Sequence, residues 1–167
     1  NKRMVLHILG RILQVESILL IFPFITAIIY GEAECIKSYL LVSVLTFLLG
    51  TGLTFFVKPK SRVIYAKEGF AVVSLAWIAL SAIGAVPFVL TGEIPSYIDA
   101  FFETVSGFTT PGSTILKDVE AMSHASLFWR SFTHWIGGMG FLVFVMAVIP
   151  NISDRSMHLL KAEVPGP

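Results

Sequence analysis

The 167-residue chain is 55% hydrophobic and only 14% charged, with a mean hydropathy of +0.81, well beyond the near-even apolar balance of a soluble domain. It reads as an all-α integral membrane protein. The net charge of +1 gives no sign of a nucleic-acid surface, and the single cysteine, Cys35, excludes an internal disulfide framework or a cysteine-cluster metal site and takes no role.

Four apolar stretches follow in order: Leu6–Tyr30, Tyr39–Val57, Phe70–Leu90 and Ala125–Pro150. At about 1.5 Å per residue the shortest reaches roughly 28 Å, close to the ~30 Å of a bilayer's hydrocarbon core, so each is expected to span once. The first is too long for a signal-peptide core and lacks a small-residue cleavage site, so it is expected to be retained, with a bend at Pro23. The second is expected to open at Ser38 and to end before Lys58, Pro59 and Lys60. Basic residues orient the spans. Lys2, Arg3 and Arg11 flank or open the first, Lys58, Lys60, Arg62 and Lys67 lie between the second and third, and Arg155 and Lys161 follow the fourth. Glu32 and Glu34 outweigh one lysine in the loop after the first span, so both termini are expected on the cytoplasmic side. Glu68 beside Lys67 reads as a solvated pair at the membrane surface.

The segment between the third and fourth spans is then external. Within it Tyr97, Phe101, Phe102, Val105 and Phe108 recur at helical spacings, Ser96 is placed to cap a helix, and Asp99 completes a capping box. A helix from Tyr97 to Phe108 would be roughly 18 Å long, about half a membrane, which suits a re-entrant helix or an amphipathic one lying on the surface. It leads into SGFTTPGST, residues 106–114. Non-helical backbone at membrane depth is tolerated only when buried in protein or lining a wet path, where carbonyl oxygens can replace the hydration shell of a monovalent cation. A generic Thr/Gly/Ser turn is the competing reading.

The stretches KEGFAVVSLAWIALSAIGAVPF, DAFFETVSGFTTPGST, FWRSFTHWIGGMGFLVFVMAVIP and LLKAEVPGP together resemble the Trk/Ktr/HKT superfamily of potassium transporters, most of all its TrkH-type branch. The resemblance covers nearly the whole chain, and the two helices ahead of the third span are also a TrkH-type feature. It implies two leading transmembrane helices over residues 1–60 and one helix, pore loop, helix repeat over 61–167, in a potassium-channel-like fold where four such repeats surround one ion path. Tyr97–Phe108 would be the pore helix. Thr109, Thr110, Pro111, Gly112 and Ser113 would form the filter strand and hold K+ mainly through backbone carbonyls. Gly112 matches the family's filter glycine, tied to potassium preference; a serine there is associated with sodium passage in plant relatives. Pro111 departs from the common ThrThrThrGly pattern, removing one amide and favouring extended torsions at Thr110.

The implied function is potassium uptake across the plasma membrane, this chain supplying one quarter of the filter. Potassium is the transported ion, with no other cofactor. The implied partners are the lipid bilayer, a second copy of the full-length chain as a homodimer, and a cytoplasmic nucleotide-binding regulatory subunit; nucleic acid is not among them. One pore loop makes only a quarter of a coordination ring, so a fragment of a longer chain is expected, an expectation the ValProGlyPro ending supports. A tetrameric small cation channel, a non-conducting scaffold or inactive fragment, and an anion or solute channel are the alternatives. No catalytic constellation is present, so an enzyme is not expected.

Other polar residues admit blander readings. Arg130 is expected to snorkel outward, with pairing to Glu103 or Asp118 as the other possibility. Glu103 is expected to anchor the loop rather than attract cations at its mouth. His124 and His134, nearly three helical turns apart, cannot share one metal and read as interfacial or packed. Trp77, Trp129 and Trp135 read as core or interface-belt aromatics, and Gly137-Gly138-Met139-Gly140 as helix packing before hinge.

Overall fold

The computed structural model of the chain describes residues 2–59 and 66–140, and every regular element among them is an α-helix. The first apolar stretch forms two helices in line, α1 (Lys2–Leu19) and α2 (Ile21–Tyr30), which together make one candidate span. The break at Leu20 is the expected effect of Pro23, whose ring would crowd the carbonyl four residues back, at Leu19. Gly31, with φ 71°, ends α2 in the left-handed conformation that glycine adopts without penalty.

The second span is α3 (Ala33–Phe56), and it begins five residues before the expected Ser38. Its first turn is amphipathic. Glu34 and Lys37 pair on the exposed side at 3.3 Å, while Cys35, Ser38 and Tyr39 are buried on the other, so the helix gains contacts by starting early. Between α1 and α3 the crossing is made by two glycines: a Cβ at Gly10 would lie 2.9 Å from the Gly50 carbonyl oxygen, and one at Gly50 2.7 Å from that of Gly10. Close approach of small residues replaces the hydrophobic drive that lipid removes. Polar side chains reinforce the crossing, with Gln14 Nε2 donating to Thr51 Oγ1 (3.1 Å) and Ser43 Oγ to the Ser17 carbonyl (2.7 Å).

The third span, Glu68–Leu90, is carried by α4 (Ala66–Gly84) and the short α5 (Val86–Leu90), interrupted at Ala85 just ahead of Pro87. Then comes α6 (Tyr97–Phe108), with the bounds and the Ser96 cap read from sequence; Ser96 Oγ accepts from the Asp99 amide. Its inward face is mostly small and hydroxylated, with Phe108 alone among its aromatics fully buried. Ala100, Glu103, Thr104, Ser106, Gly107 and Phe108 are buried, whereas Tyr97 and Phe102 are exposed. Small and hydroxylated residues let α6 approach its neighbours closely, and Thr104 Oγ1 donates to the Ser81 carbonyl of α4 at 2.8 Å.

A last helix, α7, starts at residue 124 and is helical to residue 140; the rest of the expected fourth span, the tail with Arg155, Lys161 and the ValProGlyPro end, and the basic residues Lys60 and Arg62 at the expected 60/61 boundary lie outside the described residues. The N-terminus of α7 is capped from two other elements. Glu32 accepts from the amides of His124 (2.7 Å) and Ala125 (3.0 Å), and Glu93 accepts from that of Ser123. Two carboxylates thereby satisfy orphan amides where the helix dipole favours negative charge. Burial pushes the Glu32 carboxyl up, but the amides of Ala125 and His124 and the His124 imidazole outweigh it and hold the carboxyl below its ordinary value. Tyr30 stacks on the same imidazole at 3.9 Å, so His124 packs on one ring face while its side chain stays 60% exposed.

The core lies where α3, α5, α6 and α7 meet, around the fully buried Tyr39, Phe88, Phe108 and Trp129. Outside it, large apolar side chains such as Ile29, Leu48 and Phe56 are exposed along α2 and α3, the pattern of a lipid-facing surface.

Candidate functional site

The chain reverses direction at the C-terminal end of α6, and the reversal is built from residues 109–115. Thr109 and Thr110 donate their amides back to the Val105 and Gly107 carbonyls, and Pro111 has no amide to donate. Thr109 has φ −89°, Thr110 +70° and Gly112 +73°. The positive φ at Thr110 corrects the extended torsion expected before a proline. For a β-branched residue it stores strain on the order of 1–3 kcal/mol, held by the turn that returns the Thr110 amide to Gly107. Among the described residues no donor reaches the carbonyl oxygens of Thr109, Thr110, Pro111 or Gly112, and all four residues are exposed. An exposed run of unclaimed peptide carbonyls is a hard-oxygen surface of the kind that can coordinate a monovalent cation.

Behind this run the loop is pinned. Ser106 Oγ donates to the Ser113 carbonyl (2.6 Å), which turns that oxygen back toward α6. Glu103, with its side chain 1% exposed, accepts from Thr114 Oγ1 (3.0 Å) and the Ile115 amide (3.2 Å) with one oxygen and from Arg130 Nε (2.6 Å) with the other. Glu103 is the anchor the sequence indicated. Arg130 does not snorkel: it pairs with Glu103, because a buried carboxylate is the one site where its charge is offset without reaching water. Asp118 instead accepts the Glu120 amide within its own turn.

Two glycines bring α7 against the end of α6. A Cβ at Gly107 would overlap the Thr133 side chain, and one at Gly137 would overlap the Phe108 carbonyl; Gly140 rests on Trp77, and Gly138 faces open space. The glycine cluster is thus packing at two of its three glycines. Trp129 is core, its indole donating to the Gly84 carbonyl at 2.9 Å, and Trp77 packs on Phe108, while Trp135 is exposed. A cavity of about 250 Å³ lies beside the loop, lined by Trp77, Phe108, Thr109, Thr110 and Gly137. Among the described residues no group of three His, Cys, Asp or Glu side chains is placed to hold a metal ion. Sequence reasoning missed Ser106, Thr114 and Thr133; the hydroxyls of Ser106 and Thr114 near Gly107 and Gly112 were an available signal, whereas Thr133 meets Gly107 only through packing.

A half-length helix, a pinned loop and a return helix, set among apolar spans, define a membrane protein that is all-helical among the described residues. The chain belongs to the TrkH family, described as cation transport protein, whose family model matches residues 36–167. It is 34% identical over 167 residues to the Trk system potassium uptake protein TrkH of Escherichia coli K12 and 32% identical over 166 residues to TrkG of the same strain. Each match covers 99% of this chain and 34% of the relative, so the chain spans about a third of the length of these curated relatives. The crystal structure of the potassium transporter TrkH from Vibrio parahaemolyticus superposes with a TM-score of 0.83 at 26% identity, over 97% of this chain and 36% of that one.

Proposed function

We infer that this chain is part of a potassium uptake protein and that residues 109–113 contribute one quarter of its selectivity filter. The observation that carries the reading is the run of four exposed residues, Thr109 to Gly112, whose carbonyl oxygens are unclaimed by any described donor, braced through Ser113, Thr114 and Ile115. Potassium sheds water and is coordinated by these oxygens, with equivalent loops from the rest of the parent protein completing the ring. Tyr97–Phe108 acts as the pore helix, its C-terminal end adding partial negative charge near the loop. Residues 1–60 serve as two leading helices and 61–167 as the first helix, pore loop, helix repeat. The protein resides in the plasma membrane with both ends of this segment cytoplasmic. It works as a homodimer with a cytoplasmic nucleotide-binding regulatory subunit, as the resemblance implies.

The test is complementation. The parent protein, expressed in cells lacking potassium uptake, restores growth at low potassium, and Gly112→Ser lowers the preference for potassium over sodium. Restored growth with an unaltered preference in that variant would remove the filter from residues 109–113.

A further inference from the structure

We propose that His134 is a positioning residue that sets the selectivity of the 109–113 loop by backing its glycine; this rests on the reading of that loop as a cation filter. His134 projects from α7 toward the end of α6. Its Nδ1 lies 2.9 Å from the Arg130 carbonyl oxygen, which can only accept, so Nδ1 carries the hydrogen and the ring orientation is fixed. In the neutral imidazole Nε2 is then left with its lone pair. That nitrogen faces the loop: a Cβ built on Gly112 would lie 3.9 Å from it, and a Cβ built on Gly107 would lie 3.6 Å from Nδ1. The imidazole therefore occupies the space between the last turn of α6 and the glycine of the loop.

Two consequences follow from this placement. With φ at +73°, Gly112 already disfavours any side chain, and a side chain placed there is directed at Nε2. The serine of a Gly112→Ser variant carries its hydroxyl one bond beyond Cβ, within reach of an O–H···N bond of about 2.7–3.0 Å to that lone pair. His134 thus decides where such a hydroxyl sits and how far the neighbouring carbonyls move. The role is one of shape and hydrogen bonding. The charged neighbours, Arg130 on α7 and Glu103 on α6, remain paired with each other throughout.

The experiment is a double-variant cycle in the full-length protein, reading the ratio of potassium to sodium transport rather than total uptake. The backgrounds are His134 itself, His134→Leu, His134→Asn, which keeps a donor for Arg130 but is too short to reach Gly112, and His134→Gln, which keeps both length and polarity. Each is measured with and without Gly112→Ser. Leucine and asparagine are expected to lower the ratio by about threefold or more, and to change the effect of Gly112→Ser by a similar factor, the size of coupling found between contacting residues. Glutamine is expected to restore the native ratio. If leucine does not accumulate in the membrane, asparagine carries the same comparison. A ratio unchanged by leucine or asparagine, with Gly112→Ser acting equally in every background, overturns the role of His134 alone. A ratio that Gly112→Ser leaves untouched even beside His134 overturns the filter reading instead.

Discussion

Replacing Glu103 by glutamine probes the loop anchor at its centre. The carboxylate accepts three hydrogen bonds, from Arg130 Nε at 2.6 Å, Thr114 Oγ1 at 3.0 Å and the Ile115 amide at 3.2 Å, while its side chain is 1% exposed. Glutamine has the same shape but keeps one acceptor oxygen and turns the other into a donor. With the oxygen left on the loop, an N–H meets the guanidinium, and Arg130, only 17% exposed, loses its counter-ion. Removing one member of a buried pair costs about 3–5 kcal/mol. With the oxygen turned to Arg130, the guanidinium still has no counter-ion, and the Thr114 hydroxyl and the Ile115 amide also lose their acceptor, at about 1 kcal/mol for each bond. Either rotamer therefore destabilises the protein by about 2 kcal/mol or more, a factor of roughly 30 in the folded to unfolded ratio. Thermal unfolding of the full-length protein in detergent measures this, and rubidium against sodium uptake in vesicles reads the loop. Combining Glu103→Gln with Arg130→Gln should recover part of the stability, since no unpaired charge remains. A loss below about 0.5 kcal/mol together with unaltered ion preference would refute the anchoring role.

Three further outcomes are expected. Gly137→Ala forces a Cβ onto the Phe108 carbonyl and should lower thermal stability by about 1–3 kcal/mol, whereas Gly138→Ala enters open space and should be neutral or slightly stabilising; equal effects in unfolding would contradict the packing of α7 on α6. Glu16 is 1% exposed on α1, with neither carboxyl oxygen hydrogen-bonded to any described residue, so Glu16→Leu should hold or raise thermal stability; a marked loss would mean the carboxyl has a partner. The carboxyl of Glu32 is held below its ordinary value of 4.5, so its contribution is complete above that pH and disappears as pH falls through the lowered folded value. Unfolding temperature should therefore fall on acidification below about pH 4.5, and Glu32→Gln should flatten that part of the profile; an unchanged slope in the variant would assign it to other carboxylates.

Local chemistry made much of this protein legible without coordinates. Uninterrupted apolar length requires spanning helices because an unpaired peptide group in lipid costs several kcal/mol. Pro23 marks the break between α1 and α2, and Ser96 with Asp99 marks the start of α6, since a missing amide and a capping hydroxyl act within one turn. Glu103 was identifiable as an anchor from its place on that helix. Four decisions needed the tertiary structure. Arg130 could point outward or inward until α6 brought a buried carboxylate to 2.6 Å. Thr110 takes a positive φ against its local preference because the turn back to Gly107 requires it. The inward face of α6 is mostly the small, hydroxylated one, with Phe108 the one aromatic fully buried there, because close approach to α4 and α7 leaves little room for Tyr97 and Phe102. The N-terminus of α7 is capped by Glu32 and Glu93, residues 92 and 30 positions away from the amides they hold. Sequence determines what each segment can do alone, and these four features depend on which segments meet, a matter of packing at long range that no local pattern encodes.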